Sequence, residues 1–168
     1  MSLLKMITHK NHPNDAAREW LTEGVVSLGW HQSGDIANLT KNEILIKLIE
    51  SGTVTKPSIG TSRLITFRDK ISIGDVVIAY QKNNSIADIG EIIGEYQFVE
   101  NNSLGNPFGK YLHPHQRKVR WWNIGPFDRR IISSDFSDWI CTPNAISFKR
   151  YLDSSDLKRE LQNNRLIE

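Results

Sequence analysis

Residues 71–98 constrain the fold more than any other stretch, because they contain two apolar runs separated by a polar turn. The first run covers 76–80 and the second covers 86–98, and both are rich in valine or isoleucine. The polar residues 81–85 between them are typical of the turn of a β-hairpin. The pattern therefore predicts two adjacent antiparallel strands, and Gly74-Asp75 predicts a turn that leads into the first of them.

The second run carries glycines on one of its faces. In a continuous strand, alternation places Gly90, Gly94 and Tyr96 on the same side. Glycine weakens a strand, so two glycines on one face need a physical reason. One reason is a tight bend at the corner of a small barrel, and the other is the close approach of a ligand. The two explanations are compatible, and the sequence leaves both open.

The chain before the hairpin predicts helices and one further strand. Thr40 and Glu43 have the spacing of a capping box, in which each side chain bonds the backbone amide of the other. Residues 1–12 have little pattern, so we expect this segment to be loosely ordered at its start and to contain no strand. The predicted elements are a helix from Asn14 to Gly24, a strand over 25–30, a helix over 40–51 and a helix over 59–68.

Residues 111–122 interleave basic and aromatic side chains, which is expected where a protein contacts phosphates and bases together. A strand beginning at Arg117 would send Trp121 and Trp122 to opposite faces. Arg63, Arg68 and Lys70 make the region of the third predicted helix basic as well, although a solvated helix face is the simpler explanation. The residues expected to contact a nucleic-acid backbone are Arg63, Arg68, Arg117, Lys118 and Arg120.

The C-terminal part is predicted to be irregular over 124–138 and helical from Thr142-Pro143 to Leu152, with a last short helix over 156–163. The expected domain organisation is an N-terminal extension (1–14), one domain (15–152) and a C-terminal helix or linker to a further domain (153–168).

Composition and charge narrow the functional classes. The chain has 168 residues, which is enough for one domain with a core, and a net charge of +2 that permits nucleic-acid binding without arguing for it. Cys141 is the only cysteine, so an internal disulfide is excluded and a reducing, cytoplasmic location is expected. No apolar run approaches the length of a membrane span, so no membrane partner is expected.

The sequence lacks the motifs of common catalytic sites. It has no phosphate-binding loop and no nucleophile elbow, and neither Glu43 to Lys47 nor Glu91-Ile92-Ile93 fits the acid-x-lysine arrangement of a nuclease. His9 with His12, and His113 with His115, are pairs without the further ligands that a metal site requires. We therefore predict a binding protein with no catalytic residues, no metal and no cofactor.

Five motifs in order resemble a known family. They are Phe67 with Ile71-x-x-Gly74-Asp75-Val76-Val77, the segment 89–96, Val119-Arg120-Trp121, and upstream the segments 23–30 and 34–36. This pattern, over residues 15–125, resembles the EVE-like branch of the PUA-like superfamily. It is most similar to N-terminal domains of modification-dependent restriction proteins of the McrB and Mrr type. The resemblance implies an α+β fold, a PUA-like (EVE-type) small bent β-barrel surrounded by helices, with an aromatic pocket for a modified base or another small planar group.

The expected site combines rings with polar edges. Stacking on aromatic side chains contributes about 1–3 kcal/mol per base. Extrusion of a base costs a few kcal/mol, so edge hydrogen bonds and phosphate contacts must supply the net affinity. Trp30, Tyr96 and Trp121 are expected to form the cage, with Asp35 and His113 at its edge. The full set of expected base-binding residues is Trp30, Asp35, Phe67, Gly90, Gly94, Tyr96, His113 and Trp121.

Three functions remain open from the sequence. The first is a reader of a modified, methylated base in nucleic acid, with DNA favoured, which would be the sensor of a restriction or defence system whose nuclease lies on another domain or subunit. The second is a sensor of a small molecule or nucleotide on the same fold. The third is a fragment of a restriction endonuclease whose catalytic part lies elsewhere.

Overall fold

The computed structural model describes residues 2–7, 13–81, 83–100, 113–140, 146–149 and 154–167. His9, His12, Cys141 and residues 101–112 lie outside the described residues, as does the Thr142-Pro143 start of the predicted fourth helix.

The described residues form strands and helices in a mixed order, with short 3-10 turns at His31–Ser33 and Arg129–Ile131. The order is β1 (Leu3–Ile7), α1 (Pro13–Glu23), β2 (Val25–Leu28), α2 (Lys41–Glu50), α3 (Pro57–Asp69), β3 (Val76–Tyr80), β4 (Ser85–Ile92), β5 (Gln97–Phe98), β6 (His115–Trp121), β7 (Phe127–Asp128), α4 (Ser134–Ile140), β8 (Ile146–Lys149) and α5 (Ser154–Asn163).

The central hairpin has the predicted form. β3 and β4 pair antiparallel from Val76 opposite Glu91 to Ala79 opposite Asp88. The amide of Gln81 donates to the carbonyl of Ser85 at 2.8 Å and closes the turn. The strands follow the order β2-β6-β4-β3-β1-β8, with β5 also paired to β6 and β7 to β4, in a sheet curled into a half-barrel. The expectation of an α+β fold is therefore confirmed.

The capping box is also confirmed, because Glu43 N donates to Thr40 Oγ1 at 3.3 Å and Thr40 N donates to Glu43 Oε2 at 2.7 Å. These short-range bonds begin α2 where the sequence predicts it. The helix ends before Gly52, which has a left-handed backbone with φ 65°.

The N-terminal expectation is wrong for residues 3–7. β1 lies inside the sheet, parallel to β3 and antiparallel to β8. Leu3, Leu4 and Met6 are fully buried, as in a strand covered on both faces. Lys5 is also fully buried, and this charged residue interrupts the apolar pattern that would have revealed the strand.

Two C-terminal expectations are also corrected. The part of the predicted fourth helix over 146–149 is the strand β8, paired with β1, and the segment predicted to be irregular contains α4. Pairing with a strand at the other end of the chain determines the structure of residues 146–149. The last helix is present as α5, over Ser154–Asn163.

The second apolar run does not continue as one strand to residue 98. The β3–β4 ladder ends where the amide of Ile92 donates to Asp75 O at 2.8 Å. Residues 93–96 are then not part of any strand. β5 then pairs with β6 rather than with β3. Tyr96 lies in this break, so it is not part of the glycine-bearing face of β4, contrary to the prediction.

The two faces of the sheet carry separate apolar cores. One core packs under α1, α2 and α3, and the other packs under α4 and α5. The first core includes Leu4, Met6, Trp20, Val26, Ile44, Leu48, Leu64, Phe67, Val77, Val119 and Trp121. The second includes Leu3, Val76, Ile78, Ile89, Phe127, Phe136, Ile140, Leu157 and Leu161.

The glycines of the second run let β6 approach closely. A Cβ at Gly90 would lie 2.6 Å from Val119 Cγ1 and 2.8 Å from Trp121 Cε3. A Cβ at Gly94 would lie 2.9 Å from Lys118 Cβ. Side chains of β6 therefore fill the space that the sequence analysis had considered for a ligand, and the glycines serve the packing of the curled sheet.

Replacement of Gly90 tests this packing. We expect Gly90→Ala to lower the free energy of unfolding by about 1–3 kcal/mol, because the added methyl group must displace β6. Urea unfolding measures the change. The cost should be smaller in a Val119→Ala background, where the nearest clashing atom is absent. An unfolding midpoint equal to that of the unmodified protein would contradict this role of Gly90.

Candidate functional site

Trp30 leaves β2 in an unusual backbone conformation. Its φ of 62° and ψ of 43° are left-handed, which costs a residue with a side chain on the order of 1–3 kcal/mol. The Trp30 carbonyl accepts hydrogen bonds from Ser33 N at 3.0 Å and Ser33 Oγ at 2.9 Å. His115 Nε2 lies 3.3 Å from the same oxygen. These contacts hold the strained turn and fix the start of the Trp30 side chain.

His115 connects this turn to Tyr96. The imidazole is fully buried, and its Nδ1 lies 2.9 Å from the Tyr96 hydroxyl. Because a carbonyl can only accept, Nε2 carries the proton that faces Trp30 O, and Nδ1 accepts from Tyr96. Burial lowers the pKa of His115 to about 4, so the ring is neutral at neutral pH.

Tyr96 and Asp35 complete the group at the surface. The Tyr96 ring stacks on His115 with centroids 5.9 Å apart, and its hydroxyl lies 3.4 Å from Asp35 Oδ1. Burial raises the pKa of that hydroxyl. Asp35 is exposed, and Oδ1 also accepts from the amide of Ala37 at 3.0 Å. We call Trp30, Ser33, Asp35, Tyr96 and His115 the polar-aromatic cluster.

The cluster brings together three of the predicted site residues, Trp30, Asp35 and Tyr96. The sequence analysis missed Ser33 and considered His115 only as a metal ligand. The sequence did contain a signal for His115. It is a polar residue at the first position of the buried strand β6, and a buried polar side chain needs hydrogen-bond partners.

His113 belongs to a neighbouring network. Its Nδ1 lies 3.3 Å from Ser27 Oγ, which accepts from Trp20 Nε1 at 2.7 Å. The His113 side chain is 8% exposed. It is thus packed beside β2, and the described contacts do not connect it to the cluster.

Trp121 and Phe67 are core residues, which corrects the assignment of Trp121 to the cage and of Phe67 to the base-binding set. Alternation along β6 turns Trp121 to the same side as Val119, into the first core. Its indole Nε1 donates to the carbonyl of Trp20 at 3.0 Å. Phe67 is fully buried in the same core.

Two of the predicted backbone-binding arginines instead support the fold. Arg117 is 1% exposed, and it donates to the carbonyls of Phe67 at 2.9 Å, Arg68 at 2.7 Å and Gly94 at 3.2 Å. Arg68 donates to the carbonyls of Ile36 and Leu39, each at 2.6 Å. These bonds satisfy carbonyls at the end of α3 and at loop positions, so the two guanidinium groups are not available to phosphates.

The other predicted cations face outward or lie at the cluster. Arg120 is exposed and pairs with Glu91 at 2.7 Å, and Lys118 is exposed on the same face of β6. Arg63 projects from α3, and its guanidinium carbon lies 5.8 Å from the centroid of the Trp30 ring. Arg63 is therefore the basic residue that the structure places against a predicted cage residue.

A separate groove of about 240 Å³ opens between α1 and the strand β4. None of the predicted site residues lines it. It is mainly apolar and is bordered by Ala17, Arg18, Leu21, Thr22, Gln81, Ala87 and Pro126.

In the part of the chain that the structure describes, no three His, Cys, Asp or Glu side chains come together as metal ligands, and no helix is both long and apolar enough to cross a membrane.

The protonation of His115 gives a stability prediction. Its pKa in the folded protein, about 4, is below its ordinary value of 6.5, so the unfolded chain takes up a proton first as the pH falls. The neutral buried imidazole therefore contributes roughly 3 kcal/mol to the free energy of unfolding above pH 6.5, and this contribution is lost as the pH falls to 4. We expect the difference in unfolding free energy between the unmodified protein and His115→Gln to shrink by that amount from neutral pH to pH 4. A difference that stays constant with pH would contradict the buried neutral imidazole.

Comparison with solved structures relates the fold to YTH domains. The YTH domain of Zygosaccharomyces rouxii MRB1, solved in complex with N6-methyladenosine RNA, has a TM-score of 0.54 and 10% identity, over 99% of this chain and 88% of that chain. The MmI1 YTH domain has a TM-score of 0.48 and 10% identity, over 99% of this chain and 98% of that one. The first of these likenesses shows a shared fold.

Sequence comparison gives a family without a described function. No curated protein matches the chain. Residues 4–135 match the model of the family described as Domain of unknown function (DUF8426), which covers most of the chain and both halves of the central hairpin. The chain therefore belongs to the DUF8426 family, on a fold that it shares with a YTH domain.

Proposed function

We propose that this chain is a nucleic-acid-binding module that recognises a methylated base. The observation that carries the proposal is the likeness of its fold, over 99% of the chain, to a YTH domain solved with N6-methyladenosine RNA. Within the basic and aromatic segment 111–122, Lys118 and Arg120 remain exposed and support the same class of function.

The polar-aromatic cluster is the proposed base site. Trp30 and Tyr96 supply rings for stacking, which contributes about 1–3 kcal/mol per base. Asp35 is exposed, and an ionised carboxylate can only accept hydrogen bonds. It would therefore pair with an N–H group on the edge of a base. His115 holds the Tyr96 hydroxyl and the Trp30 carbonyl, so it positions both without contacting the base.

The wider proposal concerns the biological setting. The resemblance to restriction proteins of the McrB and Mrr type favours DNA as the ligand and a defence system as the setting. The likeness to a YTH domain favours RNA. Neither Glu43 nor Glu91 has the lysine spacing of a nuclease, so we propose that cleavage would require a nuclease domain or subunit elsewhere and that the chain itself acts as a sensor and not as an enzyme.

A second candidate is a sensor of a small apolar molecule. The groove of about 240 Å³ beside α1 favours it, because its lining is mainly apolar and is separate from the cluster. The two candidates predict different ligands at different places, so one binding experiment separates them.

Binding to matched oligonucleotides tests the proposal. We expect the protein to prefer single-stranded RNA or DNA that contains one N6-methyladenine or one 5-methylcytosine over the same strand without it. Tyr96→Leu should remove a stacking ring and weaken binding of the preferred strand by about 1–3 kcal/mol, or roughly 5- to 150-fold. Fluorescence anisotropy with labelled strands measures both effects.

Trp122→Leu is the matched control, since this partly buried ring packs against the second core and away from the cluster. It should leave the preference unchanged. Equal affinity for all strands, or a preference that survives Tyr96→Leu, would contradict the proposal. Absence of oligonucleotide binding together with saturable binding of an apolar ligand that Leu21→Trp abolishes would favour the small-molecule sensor.

A further inference from the structure

We propose that Trp30 and Arg63 form an anion site, which binds the phosphate group of the nucleotide whose base the polar-aromatic cluster holds. This inference rests on the proposed function and adds to it a specific contact to the backbone of the nucleic acid.

Arg63 is placed as a preorganised donor. Its guanidinium carbon lies 5.8 Å from the centroid of the Trp30 ring, within the range of a cation–π contact. The side chain is partly buried, and burial lowers the pKa of the guanidinium. The group nevertheless stays charged in proteins, and its planar fork offers two parallel N–H donors to an acceptor.

Arg63 differs from the other shielded arginines of the structure in what it bonds. Arg68 and Arg117 donate to backbone carbonyls, and Arg129 donates to the carbonyl of Ser137 at 2.8 Å. Across residues 13–81, 83–100 and the other described ranges, Arg63 has no hydrogen-bond acceptor and no ion-pair partner. Among these residues, the guanidinium of Arg63 makes a cation–π contact with the Trp30 ring.

The missing partner points to an anion. A partly desolvated cation without a counter-charge is unfavourable, and a neutral acceptor would leave its charge uncompensated. Phosphate and carboxylate oxygens match the guanidinium fork in both charge and geometry. Since every base in a nucleic acid is attached to a backbone phosphate, the proposed ligand supplies such an anion next to the site of the base.

Gly60 shows that the indole must lie against α3. A Cβ at this position would lie 2.8 Å from Trp30 Nε1 and 3.1 Å from Trp30 Cδ1. Glycine inside a helix costs about 1 kcal/mol relative to alanine, yet α3 carries it where the Trp30 ring packs. Ser33 and His115 hold the other end of Trp30 through its carbonyl. The ring and the guanidinium are thus held together before a ligand arrives.

Substitution of Arg63 tests the anion site on a single-stranded oligonucleotide, with and without the preferred methylated base, over a series of salt concentrations. We expect Arg63→Gln to weaken binding of both strands by the same factor, about 10- to 100-fold. The slope of log affinity against log salt should become shallower by about 0.7, the value for one phosphate contact on a single strand. Arg63→Lys should keep the slope but bind more weakly than arginine, because it keeps the charge and loses the fork.

Stability separates this role from a structural one. Because Arg63 supports no carbonyl in the described part of the chain and its guanidinium contacts the Trp30 ring, Arg63→Gln should lower the urea midpoint much less than Arg117→Gln does. Arg159→Gln is the matched binding control, since this exposed arginine pairs with Asp156 on α5. It should change neither affinity nor slope. Gly60→Ala should weaken binding by displacing the indole, although it leaves every charge in place.

The outcomes distinguish the two proposals. If methylated strands are preferred but Arg63→Gln keeps the affinity and slope of the unmodified protein, the anion site is wrong and the base reader stands. If no oligonucleotide binds, the base reader is wrong, and inorganic phosphate becomes the probe. A saturable shift of the Arg63 Nε–H signal in the NMR spectrum would then support an anion site for a ligand other than nucleic acid. Absence of that shift would overturn the site.

Discussion

The close pairing of β6 with its neighbours is the constraint on which the rest of the structure depends. β6 lies beside β2 along His115–Lys118 and beside β4 along Val119–Trp121. Gly90 makes the second contact feasible, because any larger residue would meet Val119 and Trp121. One strand thus joins the β2 edge of the half-barrel to its central hairpin. The residues that face inward on β6 are then fixed relative to α3 and to the Trp30 turn.

This placement sends the aromatic and basic residues of β6 to two different faces of the strand, one buried and one exposed. Inward positions of β6 hold His115, Arg117 and Trp121, each bonded to backbone or side-chain atoms of distant segments. Outward positions hold Lys118 and Arg120. A segment whose composition is typical of nucleic-acid binding therefore uses its arginine and tryptophan on the inner face to build the fold. Tyr96 and Trp30 come from short connections next to the sheet, and these are the rings that we propose for a ligand.

Features that depend on neighbouring residues could be predicted from the sequence. The Thr40–Glu43 capping box and the β3–β4 turn need only local bonds, so their sequence patterns were sufficient. The role of Arg117 depends on carbonyls of Phe67 and Arg68, about 50 positions earlier in the chain, and no periodicity reveals such partners. The strand β1 was not predicted because Lys5, a charged residue, lies in its centre. Trp121 was assigned to the wrong place because a basic-aromatic pattern does not show which face of a strand is buried. In the proposed site, the rings of Trp30 and Tyr96 were predictable as candidates, whereas the buried link through His115 was not.

The most direct test of the central claim is an NMR titration that follows tryptophan indole N–H signals and backbone amides as a methylated oligonucleotide is added. The account predicts that the indole signal of Trp30 and the amide signals of Asp35 and Tyr96 shift with saturation. The indole signals of Trp20 and Trp121, whose N–H groups are bonded inside the first core, should stay in place. Shifts confined to Ala17, Leu21 and Ala87 would move the ligand to the groove beside α1 and contradict the cluster as the base site.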